Sequence, residues 1–422
     1  MVKAELLGLF EKKLRTEMGL SIDNVSSDLK ISKGNLSDAE NGKRQFKEPL
    51  FHRFLKYYNI TFDFDPALPN TIKNELNHLV EAFTYRNIEQ ECLIIERTNK
   101  TRLTYNNSLA SLYLMLIDLF STLRVSPKEI EPAKKKTIKE INEYLNYFSS
   151  DEKALIYFLE AYNQRKLKHY SATSKLYREA LAVFNGTQWP QLAGIIKANY
   201  ASLLLASTSF FEAYQMYEEA NEIFLKHSNY IRSLVCCNNM ANCLINLQIF
   251  DGAERLVNKV LLAEQSFVNS PAISAANKTM LLLLTLKGDF QGAVDFSSHV
   301  SVGPDQTIGN LSLIPYCLWR LDKREECLKK IDDLTKFRPT SDDIALFRLL
   351  KAILKGNQPE IEIEKLKMIQ ICCKQFNWAM LMVLYQLMID YYKSVNDLRR
   401  LAEAYEQQTM VLQHELPLSP SR

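Results

Sequence analysis

Three asparagines, Asn238, Asn242 and Asn246, stand four residues apart. In a helix that spacing places them one turn apart on a single face. A carboxamide donates through its nitrogen and accepts through its oxygen. A column of such groups can therefore grip an extended main chain, C=O and N–H together, without demanding a side-chain sequence. Asn199 and Asn239, 40 residues apart, join the same set. The plainer alternative is a solvated helix face, or amides bonded between helices. Lys278 is a cation that could hold a ligand carboxylate, and Lys197, Arg165, Tyr162 and Tyr316 are weaker candidates for a rim or a side-chain pocket.

A second set of residues suits nucleic acid. Ser32, Lys33, Gly34, Asn35 and Ser37 are short, polar or basic side chains at the start of a short helix, and Lys43 and Arg44 follow it. Base edges are read by residues of this kind, while the two trailing cations could reach phosphates. Residues 1–65 hold eleven Lys/Arg against ten Asp/Glu, a net of +1. Bulk charge is thus too small to drive binding, and placement, with a dimer presenting two half-sites, must supply it.

Other chemistry is missing from the pattern. The eight cysteines (Cys92, Cys236, Cys237, Cys243, Cys317, Cys327, Cys372 and Cys373) form no Cys-x-x-Cys pair, and no His lies at ligand spacing. They read as reduced thiols packed in helices, with no metal and no cofactor. Neither a Gly-rich phosphate loop nor a nucleophile elbow is present, so the chain is not expected to be an enzyme.

The elements that must position these residues are helical. Only 12 Gly and 13 Pro occur in 422 residues, too few for a turn-rich strand fold. The apolar run Met280–Leu284 is short and bounded by Lys278 and Lys287, so no membrane span is expected. Early charges at Lys3 and Glu5 do not fit a signal peptide, which points to the cytoplasm. Near the N-terminus, Leu6, Leu7, Phe10 and Leu14 share one helix face, which Gly19 ends. Ser21 caps a second helix with Ile22, Val25 and Leu29 inside, and Ser32 caps a third, Lys33 to Glu40, stopped by Asn41-Gly42. Pro49 opens a fourth, with Leu50, Phe54, Leu55 and Tyr58 inside. Two short helices joined by a tight turn form the helix-turn-helix layout.

The stretch LRTEMGLS…V…L.IS..NLSDAENGKR resembles the phage-repressor (Cro-type) helix-turn-helix family over residues 5–61. It departs at three places: the usual Gln after the helix-two Ser is Ile22, the usual turn Gly is Lys30, and a common basic residue late in helix three is Asp38. Further on, Ala161, Ala201 and Ala241 recur every 40 residues, as do the small residues at 213, 253 and 293. Repeats of this length imply stacked helix pairs around a concave groove. The pattern Ala213, Tyr217, Ala220 is similar to the tetratricopeptide repeat, whose usual length is about 34 residues, so extended helices or loops are expected here. In that repeat the first helix of each pair lines the groove, which would place the Asn242 column there.

Taken together, the architecture resembles the peptide-pheromone-sensing transcriptional regulators of Gram-positive bacteria, the Rgg, PlcR, PrgX and NprR group. The resemblance implies an all-α chain: a helix-turn-helix domain followed by a right-handed superhelix of tetratricopeptide-like pairs. It also implies a homodimer that binds double-stranded promoter DNA, and a short signalling peptide held by its backbone on asparagines. The boundaries expected are a DNA-binding domain at 1–62, a linker at 63–71, repeats at 72–412 for peptide binding and dimerisation, and a flexible tail at 413–422. Two rivals remain: an adaptor whose repeats bind another protein, and a regulator of a response-regulator protein with a polar catalytic residue such as Gln90 or Glu91.

Overall fold

The computed structural model describes residues 4–65, 67–124, 137–138, 140–263, 271–300, 307–375 and 377–413. The expected tail lies outside them from residue 414 on. The described residues are helical, with no strand beyond two isolated bridges, Asp63 with Ser108 and Thr307 with Arg338. The chain divides into two compact units, Met1–Ile196 and Lys197–Arg422.

The first unit opens with α1 (Ala4–Glu17), α2 (Ile22–Asp28), α3 (Lys33–Glu40) and α4 (Glu48–Tyr58). Gly19 takes φ +68° at the end of α1, and Lys30 takes φ +50° in the turn between α2 and α3. At that second position a lysine holds a left-handed conformation that glycine adopts more cheaply. Ser21 caps α2 by accepting from Asn24 N at 3.1 Å. Ser32 stands at the α3 N-cap but makes no side-chain cap bond, contrary to the sequence expectation. Val25, Leu36, Phe51 and Phe54 are fully enclosed. Behind α3, the Arg15 guanidinium bonds both Glu40 oxygens at 2.8 and 2.7 Å, away from solvent.

Residues 63–71 are not a free linker. Helix α5 (Ala67–Thr84) already begins at Ala67 and tolerates Pro69 in its first turn, where no helical N–H is required. Just before it, Phe62 packs on Phe10 and Phe51 at 5.5 and 5.2 Å between ring centres. Asp63 N donates to Asn107 O at 2.8 Å. Tyr144 closes the other side, its ring 5.6 Å from Phe10 and its hydroxyl donating to Leu9 O at 3.1 Å. Aromatic burial thus joins the four N-terminal helices to those that follow, and the compact unit runs on past residue 62 to Ile196.

Next come α6 (Ile88–Tyr105), α7 (Ser111–Ser121) and the first helix pair, α8 (Ser150–Lys166) with α9 (Tyr170–Val183). The following pair starts with α10 (Leu192–Ala206), which crosses the unit boundary, and continues with α11 (Phe210–Lys226). In the second unit, α12 (Tyr230–Asn246) pairs with α13 (Phe250–Leu262), and α14 (Pro271–Lys287) with α15 (Phe290–Phe296). Then come α16 (Ile314–Arg320) with α17 (Arg324–Leu334), α18 (Ser341–Lys355) with α19 (Gln358–Gln375), and α20 (Trp378–Ser394) with α21 (Leu398–Gln413).

Each pair turns on one left-handed residue: Lys168, Thr208, Gln248 and Gly288 at intervals of 40, Asp322 and Gly356 at intervals of 34, and Asn396 again 40 further on. The period therefore shortens between Gly288 and Gly356 and then returns to 40, a change the sequence reading did not find. The recurring small residues Ala161, Ala201, Ala213, Ala241, Ala253 and Ala293 have no exposed surface. Full enclosure at these positions leaves little room for a larger side chain.

Candidate functional site

Within the second unit, the ends of three first helices and the start of α20 enclose a cleft of about 360 Å³. Helix α10 contributes Ser202, Leu205 and Ala206, and α12 contributes Asn242 and Asn246. Phe210, Leu282 and Asn310 extend the wall, and Trp378, Ala379 and Met380 close it. Helix α20 reaches this place because it packs on both α12 and α14.

The amides of the cleft are only partly used. Asn246 Nδ2 donates to Asn242 O at 2.8 Å, a bond one turn back along the helix. Asn242 Oδ1 receives a long contact, 3.5 Å, from the Thr279 hydroxyl, which also donates to Ala275 O at 3.0 Å. Asn310 Nδ2 donates to Lys278 O at 2.7 Å. Asn377 is fully engaged: its nitrogen donates to Asp342 at 2.8 Å and its oxygen caps α20 by accepting from Met380 N at 3.2 Å. Among the described residues, Asn242 Nδ2, Asn246 Oδ1 and Asn310 Oδ1 make no hydrogen bond. One donor and two acceptors on residues that line the cleft are therefore unspent, the complement of a peptide group.

The structure separates the other sequence candidates. Asn238 does not line the cleft: it is buried, 5 % exposed, and its Oδ1 has no hydrogen-bond partner among the described residues. Equal spacing fixes the helix face, but depth changes along the axis, and Asn238 lies where the face has turned into packed core. Asn199 and Asn239 are half-buried outside the lining. Lys278 is half-buried, and its stem lies against Gly309 beside Asn310, at the edge of the cleft. Lys197 pairs with Glu219 and is not at the cleft. Tyr316 is no rim residue: it is buried, stacks edge-on against Phe290 at 5.6 Å, and donates to Asp390 at 2.8 Å. Tyr162 and Arg165 belong to the first unit. Sequence reasoning missed Phe210, Asn310 and Trp378. Trp378 is more than a hundred residues from Asn242, and only tertiary packing of α20 reveals it.

On the N-terminal helices, Ser32, Lys33, Gly34, Asn35, Lys43 and Arg44 are exposed and Ser37 is half-buried, while Leu36 and Ala39 are buried behind them. Lys33 pairs with Asp23 at 2.6 Å between two exposed side chains. Arg44 donates to Asn35 Oδ1, which ties the segment after the helix to its first turn. Arg53 donates to Leu29 O at 2.9 Å and Tyr57 donates to Asp28, bracing the turn ahead of α3. Gln90 is exposed in the first turn of α6, and Glu91 beside it is buried.

Seven of the eight cysteines are buried and Cys92 is exposed. Burial pushes the Cys243 thiol up to about 12 and Cys317 to about 11, so both stay protonated near neutral pH. Among the described residues, no group of three His, Cys, Asp or Glu is placed to hold a metal, and no helix is long and apolar enough to cross a membrane.

No family profile and no curated protein matches the chain. Solved structures do. The apo form of RapI matches with a TM-score of 0.64 and 13 % identity over 81 % of this chain and 98 % of that one. The apo quorum sensor NprR from B. thuringiensis gives 0.62 and 13 %, over 81 % and 99 %. A Rap protein complexed with Competence and Sporulation Factor gives 0.62 and 12 %, over 82 % and 100 %. The chain thus has the all-helical, tetratricopeptide-like repeat fold of the Rap and NprR structures.

Proposed function

We propose that the chain is a transcriptional regulator that binds a short signalling peptide in the Asn242–Asn246 cleft and promoter DNA through α3, as a homodimer in the cytoplasm. One observation carries the reading: the cleft holds unspent amide atoms of both kinds, which suit an extended main chain. Two of the similar structures support it, one a named quorum sensor and one solved with a bound signalling factor. For DNA the support is the exposed polar start of α3, with Lys33 and Asn35 outward and Leu36 and Ala39 inward. Binding, not catalysis, is the activity assigned. A ligand that binds two arrangements of the protein unequally shifts their balance, and promoter affinity shifts with it.

Calorimetric titration with synthetic peptides encoded beside the gene tests the sensor half. Saturable binding that Asn242→Ala weakens about 10- to 100-fold is the expected result, the loss of one or two hydrogen bonds. For the DNA half, Lys33→Ala/Asn35→Ala is expected to abolish the mobility shift of upstream DNA while leaving peptide affinity unchanged. Peptide binding that ignores Asn242, or DNA binding that ignores both α3 residues, would overturn the corresponding half.

A further inference from the structure

We infer that the cleft accepts an uncharged, apolar stretch of peptide and rejects acidic and basic side chains inside it. This rests on the peptide reading above and names the class of ligand. Among the described residues, none that lines the cleft is ionisable. Its polar groups are amides, one hydroxyl and the Trp378 indole N–H, and its walls are Leu205, Phe210, Leu282, Trp378 and Met380.

The charges nearby are spent or set aside. Lys197 is engaged with Glu219. Asp342 is buried behind Asn377 and accepts its amide nitrogen. Lys278 runs along Gly309 at the edge rather than into the lining. A charged side chain entering between Phe210 and Trp378 would shed water and meet no counter-charge among the described lining residues, which is costly. An apolar side chain loses nothing there, and the three unspent amide atoms remain for its main chain. Selection against charge by an uncompensated wall is specificity by exclusion. The sequence expectation adds Lys and Arg at the rim or in side-chain pockets, where they could hold a ligand carboxylate.

The test pans the full-length protein against a displayed library of random heptapeptides. Enriched peptides are then synthesised, and their affinities measured by calorimetry on the unmodified protein, on Asn242→Ala and on Ala206→Lys. Peptides weakened at least 10-fold by Asn242→Ala are expected to share an uncharged apolar stretch. Replacing one apolar residue of that stretch by Asp is expected to lower affinity on the order of 100-fold, and Ala206→Lys to recover part of the loss. The Asp-for-apolar comparison needs no altered protein, so it decides the matter even if Ala206→Lys does not fold. Peptides sensitive to Asn242→Ala that carry Asp, Glu, Lys or Arg throughout would overturn the apolar assignment and leave peptide binding standing. Finding no peptide sensitive to Asn242→Ala would overturn both.

Discussion

Glu11 is a carboxyl with no exposed surface. It accepts from the Tyr58 hydroxyl at 2.6 Å. Burial pushes its pKa from 4.5 up to about 8, the Tyr58 bond works against that, and neighbouring Glu40 adds to the rise. The protonated form is therefore the one the fold prefers. The stability this supplies is fully present below the unfolded value near 4.5 and is lost as pH rises through about 8. Urea denaturation of the whole chain should show stability falling between pH 5 and pH 8.5, by on the order of a few kcal/mol. Glu11→Gln should flatten that slope, and an unchanged slope in the variant would show that the pH dependence lies elsewhere. Thr208 poses a different problem at the same scale. It holds φ +67° although its branched Cβ makes that region costly. Thr208→Gly is expected to raise stability by about 0.5–1 kcal/mol, read as a higher melting temperature.

At the scale of the element, loop 184–191 shows how one side chain can set a backbone. The Asp151 carboxylate accepts from the backbone N–H of Asn185, Gly186 and Gln188 at 3.1, 2.9 and 2.7 Å. Burial alone would raise its pKa, but the three N–H donors outweigh that and hold it below the usual value. This contribution is present above the unfolded pKa and is lost as pH falls through the lowered one. Asp151→Ala should cost on the order of 2–3 kcal/mol and speed hydrogen exchange at residues 185–188; protection equal to the unmodified chain would contradict the assignment.

Much of the element pattern is legible in the sequence. Alanines at intervals of 40 mark helix contacts, and Ser21 and Gly19 mark helix ends. The shorter spacing from Gly288 to Asp322 and Gly356 is hidden because the turn residue at 322 is an aspartate and α16 is only two turns long. For the cleft, Asn242 and Asn246 follow from helical spacing. The burial of Asn238 does not, and neither does the arrival of Trp378, since both depend on how distant helices pack.

At the scale of the whole molecule, the two compact units part at Ile196 and not where the sequence suggests a linker. The segment after α4 is pinned by Phe62 among Phe10, Phe51 and Phe64. Chymotrypsin favours aromatic sites, yet brief digestion of the native chain is expected to leave the bond after Phe62 intact. Rapid release of an N-terminal fragment of about 62 residues would show instead that this segment opens readily. Phe62→Ala should cost about 3–5 kcal/mol and make that bond cleavable.

The Phe62 anchorage also sets where the gene can be cut. A fragment starting at Ala67 would keep Tyr144, now 2 % exposed, but lose the Phe10 ring and the Leu9 carbonyl that cover it. Its newly bared face would be oily and short of a hydrogen-bond acceptor, a surface prone to self-association. Anyone producing the repeats without the N-terminal helices should therefore replace Tyr144 and its apolar neighbours with polar residues.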